Sequence, residues 1–243
     1  MNDRGDAGAP LEVDRRSALL GAGALTASGL AGCLGSGNGC EAITVEGPGE
    51  TSHCVTPVES DRPVQEYYGY GRDAEDSAST SDGLAANDTT VTFVYRNSQN
   101  GQRSLVVING DATTTSDGGG NVAMTFEGVS GYEWQVQDGP PGSGGGDADP
   151  YETPDGEFGS SESVIWGWDD DKTDGGVFGP LGDAFDVTAI SLAEGSVGDQ
   201  SQARTGLDGW LLVDGDDPGE YIELASIDEN AGDLSARIRT TRG

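Results

Sequence analysis

Three thiols, one imidazole and a run of aspartates behind two tryptophans are the side chains here with chemistry to offer. Cys33 closes the stretch Leu30-Ala31-Gly32-Cys33. Small residues after a leucine and ahead of a cysteine make a lipobox, where a diacylglycerol is attached to the thiol and the preceding chain is cut away. Cys40 and Cys54 are then left, and an even remainder in an exported chain reads as one disulfide. Thirteen residues lie between them, and closing such a loop is worth roughly 3 kcal/mol in the chain-entropy model. A metal site would need more Cys or His, and His53 is the only histidine.

The second constellation is Trp166-Gly167-Trp168-Asp169-Asp170-Asp171-Lys172-Thr173-Asp174-Gly175-Gly176. Tryptophans at i and i+2 share one face of a strand, and the acids follow on a glycine-bearing turn. Calcium takes several hard oxygen ligands, so Asp169, Asp171 and Asp174 are candidate ligands, and Trp166 and Trp168 a candidate stacking surface for a sugar. The full EF-hand spacing is absent. The rival reading is plainer: 43 acids in 243 residues cluster by composition, and alternating aromatics on strands ordinarily build an inter-sheet core.

Catalysis finds less support. No G-x-S-x-G elbow accompanies His53, and zinc hydrolysis lacks its histidines. A carboxylate glycoside hydrolase needs only two acids about 5–9 Å apart, but in so acidic a chain any chosen pair is uninformative. There is no phosphate loop or dinucleotide fingerprint, and no cofactor is expected beyond the possible calcium. The leading expectation is a non-catalytic binding or structural module.

Ahead of the lipobox, Arg15-Arg16 precedes a weakly apolar run diluted by Gly, Ser and Thr. A membrane span needs about 20 predominantly apolar residues; a charged start, a short apolar stretch and small residues before a cut describe a removable signal instead. The arginine pair resembles the twin-arginine export signal, although Asp14 and Ala18 depart from its usual residues. Together with the lipobox and an acidic, lysine-poor composition, it resembles the twin-arginine-exported lipoproteins of halophilic archaea. That resemblance covers the signal, the lipobox and the composition, not the folded domain. The lipobox and the glycine-rich spacer after it divide the chain into a signal over residues 1–32, a lipid-attached flexible tether over 33–40 and a folded domain over 41–243, with a possible subdivision near 139–160 where the run Gly139-Pro140-Pro141-Gly142 breaks the strand pattern. The protein would sit at the outer face of the cell membrane, held by two acyl chains, an anchor far more stable than one.

The formal charge is −31, and eleven of the twelve basic residues are arginine, Lys172 being the exception. Such a charge opposes the compact state in dilute buffer, whereas at 1 M salt the screening length falls to about 3 Å. It argues against nucleic acid, which needs a basic footprint. An envelope glycan or protein is the expected partner. The sequon Asn87-Asp88-Thr89 makes Asn87 a candidate glycosylation acceptor.

No helix-period segment appears after the signal. Short alternating runs between Gly, Asp, Asn and Pro clusters predict an all-β fold, an antiparallel β-sandwich of about 9–11 short strands behind a disordered signal and tether. Candidate strands are 42–45, 64–70, 90–96, 104–109, 121–127, 132–138, 162–168, 184–192, 208–214, 220–226 and 234–240. Val91, Phe93 and Tyr95 should share one face, with Thr92 and Arg96 on the other. Leu234, Ala236 and Ile238 should point inward, and Arg237 and Arg239 to water.

Overall fold

The computed structural model describes residues 43–69, 83–110, 119–138, 149–169, 172–228 and 231–240, all within one compact unit. Arg15, Arg16, Cys33, Cys40 and the expected signal and tether lie outside the described residues. Among the described residues, the first strands are β1 (Ile43–Glu46), β2 (Ser52–Val55), β3 (Val58–Ser60), β4 (Thr89–Asn97) and β5 (Arg103–Gly110). They are followed by β6 (Gly120–Glu127), β7 (Glu133–Gln137), β8 (Ser161–Trp168), β9 (Thr173–Leu181) and β10 (Asp186–Leu192). The last are β11 (Glu194–Val197), β12 (Gln200–Ala203), β13 (Gly209–Val213), β14 (Tyr221–Ser226) and β15 (Leu234–Thr240). One short α-helix, α1 (Val64–Tyr68), and a 3-10 turn at Pro48–Glu50 interrupt them.

The fold is an all-β sandwich, as the alternating pattern predicts. One sheet runs β2-β1-β15-β10-β6-β8, antiparallel throughout. The facing sheet runs β14-β13-β4-β5-β9-β7. It carries two parallel pairings, because the nine residues of β4 hold β13 against their first half and β3 against their last. Between the sheets lies an aromatic core. Phe126 meets Phe178 and Trp134 meets Tyr151, each edge-on at 5.0 Å, a geometry that adds about 0.5–1.5 kcal/mol per pair beyond area burial.

The facing sheet is covered on both sides, and this corrects a sequence expectation. Residues 64–69 of the strand expected over 64–70 are helix and its cap instead, and Tyr70 lies outside the described residues. Pro63 sets the entry, Gly69 closes the turn in the left-handed region, and Val64, Tyr67 and Tyr68 fall at i, i+3 and i+4 on the buried side of α1. Adjacent tyrosines are therefore both buried, where a strand would have turned one outward. The helix packs over Val91, Phe93, Tyr95, Val106 and Ile108, so this face is a second apolar layer outside the main core. Thr92, on the opposite face of β4, is also enclosed and accepts a hydrogen bond from Trp210 Nε1 at 2.9 Å. On β15 the expectation holds: Ala236 and Ile238 are buried, while Arg237 and Arg239 pair with Asp186 and Glu46 at 2.5 and 2.7 Å.

β9 is a strand the expected set lacks. Gly175, Gly176, Gly179 and Pro180 disguise this strand as turn sequence. The glycines are there for close packing. A Cβ on Gly175 would stand 2.1 Å from the Val107 carbonyl oxygen and 2.9 Å from Tyr68 Oη; one on Gly176 would meet Trp134 at 3.0 Å.

Candidate functional site

A cleft of about 390 Å³ opens at one end of the facing sheet. Its floor is made by Tyr95 at the end of β4, Ser104 on β5 and Gln135 on β7. One wall is the segment from Asp61 into α1; the other is the five-residue turn joining β4 to β5. Asn97 ties the two walls together. Its Oδ1 accepts the amides of Gln99 and Asn100 at 2.9 and 3.2 Å, and its Nδ2 donates to the Arg62 carbonyl at 2.8 Å. Tyr95 Oη donates to the Arg62 and Ser60 carbonyls from below. The walls are therefore fixed by the fold.

Two strand irregularities converge on the floor. Trp134 pairs with Phe178 and Val136 with Val177, so Gln135 is the extra residue of a bulge on β7. A bulge re-aims a side chain that regular alternation would place elsewhere. Here it lets Trp134 join the inter-sheet core while Val136 joins the layer beneath α1. The register between β5 and β9 also shifts beside Ser104. Ser104 Oγ donates to Gln135 Oε1 at 2.5 Å, and Gly179 leaves room for that contact: a Cβ there would sit 3.3 Å from the same oxygen.

The lining has an unusual composition for this chain. Gln65, Gln99, Gln102 and Gln135 are four of its seven glutamines, beside a single carboxylate, Asp61. The side-chain amides of Gln65, Gln99 and Gln102 are exposed and make no hydrogen bond within the described residues. Sequence reasoning missed the site. The signal available was glutamine itself, scarce in a chain so rich in acid.

A different cluster lies deeper, near the other end of β7 and β9. Asp138, Asp149 and Asp174 are all buried. Asp174 accepts the amides of Gly167 and Gly175 at 2.8 and 2.6 Å and shares a hydrogen bond with the Asp149 carboxyl. Tyr68 Oη donates to Asp138 at 3.2 Å; Trp166 Nε1 donates to Tyr151 Oη, which donates to the Asp138 carbonyl at 2.9 Å. Burial, then the neighbouring charge of Asp149, hold the Asp174 carboxyl well above the usual carboxylate range. Two acids hydrogen-bonded to each other stand far closer than the spacing a glycoside hydrolase needs. The pair is a sealed, proton-sharing contact.

Two of the three expected calcium ligands fall on described residues, and the fold buries one and exposes the other. Asp174 is a strand residue turned into the core with its oxygens on backbone amides, while Asp169 is exposed at the end of β8. Asp171 lies outside the described residues. Among the described residues, no three His, Cys, Asp or Glu side chains are grouped to hold a metal ion. The stacking surface is corrected: Trp166 and Trp168 are 0% and 6% exposed, enclosed in the inter-sheet core, so no sugar can lie on them. Asn87 is exposed ahead of β4, a placement open to modification. Cys54 is exposed on β2, but its expected bridge falls on Cys40, outside the described residues. His53 stands on the same edge strand, opposite Val45.

Every described arginine is engaged. Arg96 and Arg103 reach Glu59 and Asp183, Arg62 lies over the Tyr67 ring, and Arg204 donates to the carbonyls of Ser191, Ala231 and Gly232. A second cleft, of about 350 Å³, surrounds Arg204, but that guanidinium already has its partners. No family model, no curated protein and no solved structure matches this chain.

Proposed function

We propose that this chain is an extracytoplasmic lipoprotein, fastened through Cys33 to the outer face of the cell membrane, whose β-sandwich is a non-catalytic binding module of the envelope. The address rests on Leu30-Ala31-Gly32-Cys33, on Arg15-Arg16 and on the glycine-rich spacer that follows. The binding role is carried by one observation: a cleft with a hydrogen-bonded floor and a rim of exposed, unpartnered amides. Its partner is an envelope glycan or protein. The Cys40–Cys54 bridge belongs to the same reading, as a brace where the tether meets the fold. An acidic surface with almost no lysine suits a salt-rich exterior, where screening removes the self-repulsion.

Cys33→Ser tests the address. The variant is expected in the medium, or as a larger unprocessed precursor, instead of the processed protein in the membrane fraction. Membrane attachment and processing unchanged by the substitution would overturn the lipoprotein reading.

A further inference from the structure

We infer that the cleft between α1 and the β4–β5 turn is a subsite for an uncharged polyhydroxylated ligand, a segment of neutral glycan. The inference rests on the binding-module reading and supplies its ligand chemistry. Its basis is the match between donors and acceptors. A primary amide presents both an N–H donor and a carbonyl acceptor, as a sugar hydroxyl does; a carboxylate offers acceptors alone and a guanidinium donors alone. Gln65, Gln99 and Gln102 bring such amides to the rim, and Gln135 holds its N–H₂ beside the floor while its oxygen accepts from Ser104.

Other ligand classes fit less well. An anion would meet no Lys or Arg among the lining residues and the field of a −31 chain. A cation would find one carboxylate here, Asp61. An extended peptide would need a free strand edge and apolar subsites. Ser104 lies on β5, which is paired on both sides; Gln135 lies on the edge strand β7, but at a bulge that breaks the regular pairing an added strand would need, and Pro63, Val64 and Tyr95 are the apolar lining residues. What the site does have is preorganisation. Two register irregularities, the Gly179 gap and the Asn97 bonds fix the floor and walls before any ligand arrives, which lowers the ordering cost of binding. Neutral hydrogen bonds also keep their strength where salt screens ionic ones. Many copies on one membrane would engage a repeating polymer together, so that weak single sites sum to a firm hold.

The test is calorimetric titration of the full chain, purified from membranes in detergent, with maltohexaose and cellohexaose as neutral probes and oligogalacturonate as an anionic one. Saturable binding of a neutral probe, unchanged between about 1 and about 4 M KCl and weakened about tenfold or more by Gln99→Ala with Gln102→Ala, is the expected result. Absence of saturable binding by both neutral probes overturns the inference. So does preference for oligogalacturonate, or neutral binding that the double substitution leaves intact. Saturable capture of an extended envelope peptide at these glutamines, without sugar binding, would overturn the ligand class while leaving the binding module standing. The Cys33→Ser outcome does not depend on any of these, so the two readings fail separately.

Discussion

Gln135 and Asp138 stand three residues apart at β7, yet they serve opposite ends of the molecule's polar chemistry. Gln135 is bulged out toward an open cleft, where neutral amides face water. Asp138 is turned inward beside Asp149, Asp174 and two tyrosine hydroxyls, in a region closed to solvent. Water satisfies an exposed amide at no cost, so the cleft can keep donors and acceptors open for a ligand. A buried carboxylate has no such recourse and must be neutralised or hydrogen-bonded. Asp174 meets that demand with two backbone amides and its contact to the Asp149 carboxyl, and burial keeps the whole cluster out of reach of a partner. These three buried carboxyls serve the fold, and the open amides of the cleft are the groups left for recognition.

The largest expected effect breaks the closed region. Gly175→Ala puts a methyl 2.1 Å from the Val107 carbonyl oxygen and 2.9 Å from Tyr68 Oη. Neither the paired strand nor the buried tyrosine can withdraw cheaply, so a loss of about 3 kcal/mol is expected, at the upper end for overpacking. Denaturant unfolding in high salt measures it. A loss near zero would mean that the layer beneath α1 is loosely packed, and the contrast between the two regions would weaken.

A smaller effect sharpens the contrast through pH. Asp174 is held above its ordinary range chiefly by burial, so the folded state keeps a proton that the unfolded chain releases. Its contribution is complete below the unfolded value of about 3.9 and is lost as pH rises through the folded value, by up to about 1.4 kcal/mol per pH unit. Asp174→Asn carries no proton to lose. The stability of the wild type relative to Asp174→Asn should therefore fall as pH rises from about 4, and taking the difference cancels the titration common to both proteins. Paired unfolding curves at several pH values check this, and a difference independent of pH would show that Asp174 is ionised in the fold.

How much of this was legible follows from whether a local pattern survived its surroundings. The alternation of Leu234, Ala236 and Ile238 against Arg237 and Arg239 reads directly, because β15 has one face on the core and one in water. Residues 64–68 misled because V-Q-E-Y-Y is too short for helical period to stand out. Its burial is decided by the sheet beneath it. β9 misled because glycine signals a turn locally and close sheet packing globally. Trp166 and Trp168 do share a strand face, but only the fold could say that the face is interior. The cleft was the least legible. Its floor depends on a bulge at Gln135 that no pairing of neighbours in the sequence announces.

The smallest effects come from the cleft itself, and their ranking separates its floor from its rim. Gln135 is half-buried and accepts the Ser104 hydroxyl. Gln135→Ala should cost about 1 kcal/mol, the usual net worth of one hydrogen bond, with the serine left to find water. Gln99 is exposed, and its side chain bonds nothing among the described residues; its turn is held by its backbone amide on Asn97. Gln99→Ala should therefore change stability by less than about 0.5 kcal/mol, within the scatter of thermal unfolding. A rim glutamine that proved as costly as the floor would be serving the fold. The open amides would then lose their standing as groups kept for a ligand, and the cleft would resemble the sealed acids at the other end of the strand.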